Sequence, residues 1–240
     1  MQMKRLAVVT GGNRGLGFEA CRQLAKKGIE VILTSRDAEK GQAAADELKA
    51  AGLPVSYHQL DVNSEQSIKE LKAFIEKEHG RLDILLNNAG VMIDRKNNGD
   101  DYPSILKADL DTFRQTMESN VFGVLRLCQE FIPMMKKNNY GRIVNVSSGM
   151  GQLSYMSGGW PAYRVSKTAL NSVTAILAFE VKDSNILINS MCPGWVKTEM
   201  GGPKATRSVE EGVDTMIYLA TLPDNGPRGK LLRDRQIIAW

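Results

Sequence analysis

Short apolar, β-branched runs alternate along the chain with longer stretches in which apolar positions recur every three or four residues. The runs "RLAVVT", "EVILTS", "VSYHQL", "LDILLN", "GRIVNVS" and "ILINSMC" read as strands. Between them, helical periodicity predicts helices over about Leu16–Lys27, Ala38–Ala51, Glu65–His79, Leu106–Lys137 and Ala162–Lys182. Strands that are apolar at consecutive positions suit a parallel sheet covered on both faces. With strand and helix alternating throughout, the pattern predicts an α/β, doubly wound parallel sheet of the Rossmann type.

Local signals mark where elements begin. Asp37 is placed to cap the helix after it, and Asn63 with Gln66 and Ser208 with Glu211 have capping-box spacing. The segment "GKLLRDRQIIAW", preceded by the turn residues Asn225, Gly226, Pro227 and Gly229, reads as one closing strand. No repeat, low-complexity tract or linker divides residues 1–240, so a single domain is expected.

Composition narrows the function classes. A chain of 240 residues with 42% hydrophobic and 24% charged residues is of ordinary globular type. The net charge of +4 comes without a basic run, so no nucleic-acid partner is expected. No apolar stretch is long enough to span a membrane, and "MQMKRLAVVTGG" does not read as a secretory leader, so a cytoplasmic location is expected. Cys21, Cys128 and Cys192 are far apart in apolar segments and read as buried thiols in a reducing compartment. With His58 and His79 the only histidines, no metal site is expected.

The first candidate chemistry is "VVTGGNRGLG", between the first strand and the first helix. Gly11, Gly15 and Gly17 let the backbone turn tightly against a ligand, and the helix beyond offers unpaired N–H groups and a positive dipole end to a pyrophosphate. The second strand then ends in Ser35 and Arg36 where NAD-binding folds commonly carry an acid. Arg36, with Arg14 in the glycine turn, suits a ribose 2′-phosphate, which points to NADP(H); Asp37 directly after it complicates that reading. A second candidate is Tyr163 with Lys167. Spacing of i and i+4 puts phenol and ammonium on one helix face, which fits either a chemical pair or a solvated surface.

In order, the motifs are Thr10-Gly11-x-x-x-Gly15-x-Gly17, Asp61, "NNAG" at 87–90, Asn120, Ser148 in "VNVSSG", Tyr163 with Lys167, and "PGWVKT" at 193–198. This combined order resembles the short-chain dehydrogenase/reductase family over nearly the whole chain, and within it looks closest to NADPH-dependent carbonyl reductases. The resemblance implies an NADP(H)-dependent oxidoreductase reducing ketone, aldehyde or quinone carbonyls. Tyr163 is the implied proton donor, Lys167 the group that lowers its pKa and holds the nicotinamide ribose, Ser148 the hydrogen-bond partner of the substrate oxygen, and Asn120 the holder of a water leading to solvent. The implied cofactor contacts are Gly11, Asn13, Arg14, Gly15, Leu16, Gly17, Arg36, Asp61, Val62, Asn88, Ala89, Gly90, Tyr163, Lys167, Pro193, Gly194, Val196 and Thr198.

The long insertion before the tyrosine in vertebrate carbonyl reductases is missing, so the resemblance implies a homodimer or homotetramer, assembled through the Tyr163 helix and the helix after Ser208. The rival readings are a 3-oxoacyl-carrier-protein reductase, whose usual C-terminal ending is lacking here, and a non-catalytic NADP-binding sensor. Substrate choice is expected from Met92 and the loop "DRKNNGDDYPS", from "GMGQLSYMSGGWP", and from 195–205. Met150 and Trp195 are the preferred pocket walls, ahead of Leu153, Met156, Trp160 and Met200. Gly201, Gly202 and Pro203 suit a segment able to close over the site.

Overall fold

The structure is a computed structural model describing residues 4–94 and 103–240; most of the loop "DRKNNGDDYPS" lies outside the described residues. One eight-stranded sheet runs in the order β3-β2-β1-β4-β5-β6-β7-β8. Its strands are β1 (Leu6–Val9), β2 (Glu30–Ser35), β3 (Val55–Gln59), β4 (Ile84–Asn87), β5 (Gly141–Val146), β6 (Ile186–Met191), β7 (Leu231–Arg233) and β8 (Gln236–Ile238). All neighbours are parallel except β7 and β8. The chain winds outward from β1 through β2 to β3, then returns to β4 on the other side of β1. The strand order therefore reverses between β1 and β4, and a crevice opens there at the carboxyl ends.

Successive strand residues point to opposite faces, so an uninterrupted apolar run supplies two cores at once. Ala7, Val9, Leu33 and Leu86 pack with Leu24 of α1 (Gly15–Lys26), Leu48 of α2 (Ala38–Ala50) and Met216 of α7 (Val209–Ala220). Val8, Ile32, Leu85 and Ile143 pack on the opposite face. Their partners are Leu71 of α3 (Glu65–Glu78), Phe131 of α5 (Gly123–Lys137) and Leu170 of α6 (Pro161–Glu180).

One polar row crosses this apolar sheet. Asn87, Asn145 and Ser190 stand side by side on β4, β5 and β6. Asn87 Nδ2 donates to Asn145 Oδ1 and Asn145 Nδ2 to Thr174 Oγ1 of α6, both at 2.8 Å; the Thr174 and Ser190 hydroxyls are also 2.8 Å apart.

Three local expectations change. The predicted helix over Leu106–Lys137 is divided into a 3₁₀ turn at Ile105–Lys107, α4 (Leu110–Met117) capped by Asp109, a π-turn at Glu118–Phe122, and α5. The widened turn contains Asn120, whose side chain bonds the main chain of Val91, a tertiary contact that periodicity does not encode. The cap of α3 is Ser64, which accepts from Ser67 N at 3.2 Å. Asn63 instead donates its own N–H to Asp61 Oδ1. The closing strand is a hairpin, because Asp234 and Arg235 both adopt positive φ (51° and 61°), as a type I′ turn requires. Asp234 is a usual residue at its position and Arg235 is not; Arg235 is held there by Thr215 Oγ1 and Asp214. Asp37 and the Ser208–Glu211 box cap α2 and α7 as expected.

Candidate active site

The exits of β1 and β4 lock together at the crevice. Thr10 Oγ1 accepts from Asn88 N and Ala89 N at 2.9 Å each, while Asn88 Nδ2 donates to the carbonyls of Thr10 and Gly11 at 2.9 and 3.1 Å. The Asn88 side chain is thereby engaged with the glycine turn itself. Gly11 and Gly15 take positive φ (64° and 55°), and a Cβ on Gly17 would lie 2.2 Å from the Gly11 oxygen. Backbone this close leaves room for a ligand on the outer side, at the N-terminus of α1.

Around this turn the expected contacts are distributed unevenly. Thr198 lies over it, with Cγ2 at 3.4 Å from where a Gly15 side chain would begin, and Val196 packs beside Leu16 against Gly212. Asp61 and Val62 leave β3 half-buried, and Pro193 and Gly194 leave β6. Arg14, exposed at the start of α1, is ion-paired with Glu199. Arg36 is exposed, and Asp37 beside it is occupied, accepting from Lys40 N and paired with Lys40 Nζ at 2.9 Å. Lys40 was not singled out from the sequence. It lines a cavity of about 410 Å³ with Asn13 and Arg14.

The four expected catalytic side chains converge from three elements. Tyr163 and Lys167 come from α6, Ser148 from the exit of β5, and Asn120 from the π-turn before α5. Tyr163 is 9% and Lys167 5% exposed, and the Lys167 Nζ lies 5.5 Å from the Tyr163 ring centre. Of the serine pair, Ser148 is the one that acts on the phenol, lowering its pKa, while Ser147 Oγ donates to the Lys167 carbonyl at 3.4 Å. Asn120 Oδ1 accepts from Val91 N at 2.8 Å and its Nδ2 donates to Val91 O and Ser166 Oγ. A side chain on Gly90 would start 3.0 Å from Asn120 Oδ1 and 3.5 Å from Lys167 Nζ, so glycine is what lets these groups share one wall.

The pKa expectation needs correction. Burial pushes the Tyr163 phenol up to about 12, against the lowering effect of the Ser148 hydrogen bond, and Lys167 is not the group acting on it. Burial also brings Lys167 down to about 8; its ammonium donates to Val146 O at 2.8 Å. With an ordinary value of 10.5, an unfolded Lys167 holds its proton over a pH range in which the folded one has lost it. Its contribution to stability therefore rises between about pH 8 and 10.5. Lys167→Met is expected to melt above the wild type at pH 7, with the gap narrowing towards pH 10; thermal melts across that range check it.

Two further groups were missed from the sequence. Cys192 is buried as expected, yet its Sγ accepts from Gly149 N at 3.0 Å and Gly194 N at 3.4 Å, joining the Ser148 loop to the exit of β6. Asp94 bonds the first turn of α6. On the outer side Met150 is half-buried and Trp195 is 52% exposed, its Nε1 donating to Gly201 O. Leu153 and Met156 are exposed, in a loop tied to the chain's last residues through Gln152 to Ala239 O and Ser154 to Trp240 O.

Among the described residues no helix is long and apolar enough to cross a membrane. The family model described as short chain dehydrogenase matches residues 5–208. Carbonyl reductase (NADPH) 1 of Mus musculus is 38% identical, covering 98% of this chain and 98% of the relative. That alignment runs over 281 positions, longer than this chain, so the relative carries segments missing here. The structure of salutaridine reductase from Papaver somniferum matches with a TM-score of 0.83 at 32% identity, covering 95% of this chain and 99% of that one. An NADPH-bound carbonyl reductase from chicken fatty liver matches with a TM-score of 0.85 at 29% identity, covering 99% of each chain.

Proposed function

We propose, because the chain belongs to the short-chain dehydrogenase/reductase family, that it is an NADP(H)-dependent oxidoreductase reducing ketone, aldehyde or quinone carbonyls to alcohols. The observation that carries this reading is the Tyr163 phenol, buried and with its pKa lowered by Ser148 against that burial, on the same helix as the buried Lys167. The residues present fit the cofactor: a glycine cradle at the start of α1, and an exposed Arg36 where a 2′-phosphate would lie.

NADPH, when bound, supplies the hydride. Tyr163 gives its proton to the substrate oxygen as charge builds there, and Ser148 Oγ orients that oxygen. Loss of the proton leaves a phenolate, and the Ser148 hydroxyl favours that charge against the burial that pushes the phenol up to about 12, while Lys167 would hold the nicotinamide ribose. Asn120 fixes the Val91 main chain beside Lys167 and so keeps the wall of the proton path in place. Gly11, Asn13, Gly15, Leu16 and Gly17 would hold the pyrophosphate side, and Asp61, Val62, Asn88, Ala89 and Gly90 the adenosine side. Pro193, Gly194, Val196 and Thr198 would hold the nicotinamide side. Met150 and Trp195 would face the substrate.

Loss of NADPH absorbance with a panel of ketones, aldehydes and quinones tests the reading; tight NADPH binding without turnover of any of them would favour a sensor. Arg36→Asp is expected to shift the NADPH to NADH preference by about 10- to 100-fold in kcat/KM, the size of one charge-assisted contact. An unchanged ratio would assign the phosphate to Arg14 or Lys40. Self-association is part of the same proposal, through the face of α6 that exposes Val165, Ile176 and Phe179. The apolar side chains of α7 are buried or half-buried, which favours α6 as the contact.

A further inference from the structure

The helix that carries Tyr163 does not cap itself. Trp160, before its first turn, lies in the left-handed region (φ 47°) and provides no side-chain cap, and Pro161 has no N–H. The next two N–H groups are taken by a residue far back in the chain. Asp94 Oδ1 accepts from Ala162 N at 2.9 Å and Oδ2 from Tyr163 N at 3.2 Å. Asp94 is 1% exposed. A carboxylate buried to that extent is costly unless its oxygens are matched, and here they meet two donors and the positive end of a 20-residue helix.

Asp94 also stands in the segment leaving β4, four residues beyond Gly90 and three beyond Val91, the residue that Asn120 grips. One carboxylate therefore joins the wall beside Lys167 to the main-chain nitrogen of Tyr163. Helical side chains lean towards the N-terminus, so the phenol lies over the first turn, the part of α6 that Asp94 holds.

We infer that Asp94 is a positioning residue for the reduction: by gripping the first turn of α6 it sets where the Tyr163 phenol meets Ser148 and the substrate oxygen. It acts through Tyr163, so the inference rests on the reading of Tyr163 as proton donor. A misplacement of about 1 Å at a reacting group is enough to cost about 100-fold in rate.

The test compares wild type, Asp94→Asn and Asp94→Ala, with kcat referred to NADPH-binding sites counted by fluorescence titration. Asn keeps one accepting oxygen in the same shape; Ala keeps none. We expect kcat to fall about 10-fold in Asn and about 100-fold in Ala. The KM for the carbonyl and the Kd for NADPH are expected to stay within about 2-fold of wild type, since no binding contact is removed. A kcat per site unchanged in both variants, with only the melting temperature lowered, would make Asp94 a structural cap and overturn the inference. So would an Asn variant unable to bind NADPH. A wild type inactive on every carbonyl would sink the proton-donor reading first, and this inference with it.

Discussion

Tyr163→Phe is expected to lower carbonyl reduction by about 1,000-fold or more while NADPH binds as before. General acid catalysis by a placed side chain contributes about 10² to 10⁴ in rate, and this change removes the acid alone. The ring remains, so the packing around a residue that is 9% exposed is kept, and only the hydroxyl that Ser148 meets is lost. Lys167 cannot take over, because its ammonium points to the Val146 carbonyl at 2.8 Å. Single-turnover absorbance decay, with the NADPH Kd measured alongside, checks both halves. Retention of more than about a tenth of the rate would move the acid to another group, with Ser148 the first to examine.

Gly17→Ala is expected to abolish NADPH binding in the accessible concentration range and to lower the melting temperature. The new methyl would lie 2.2 Å from the Gly11 oxygen and 2.6 Å from Asn88 Nδ2. Asn88 Nδ2 is the donor that holds the Thr10 and Gly11 carbonyls, so it cannot withdraw without releasing the turn. Overpacking of this kind costs about 1–3 kcal/mol even where neighbours can shift, and here one neighbour is backbone. Gly28 is the control: it lies beyond the C-terminus of α1 with nothing within 4 Å of its missing Cβ. Its own φ of 78° means that alanine there should cost some stability but no cofactor affinity. NADPH titration and thermal melts of the two variants separate the cases; equal NADPH affinity in both would remove the glycine turn from the cofactor site.

The sheet and most helices were legible because burial on both faces writes itself as apolar runs, and because caps such as Asp37 and Ser208 are local. What was illegible depends on residues distant in sequence. Asn120, in a π-turn, bonds Val91 from 29 residues away, and Asp94 caps a helix that starts 67 residues later. Asp234 and Arg235 turn a hairpin because Thr215 and Asp214 hold Arg235 from α7. Cys192 reads as a buried thiol, which it is, and nothing in the sequence sets Lys40 apart; their relation to the site comes from the loops folded against them.

A sheet that is apolar on both faces has little to distinguish one strand alignment from another. Sliding β5 by two residues along β6 would return every side chain to its own face, yet would set Asn145 beside Ile188 in one direction, or Ser190 beside Ile143 in the other. The amides and hydroxyls of the row from Asn87 to Ser190 would then be buried without partners, at about 1–3 kcal/mol for each orphaned group. The row thus works as an alignment key: the greasy strands supply cohesion, and four polar residues decide which of several equally greasy assemblies the nascent chain accepts.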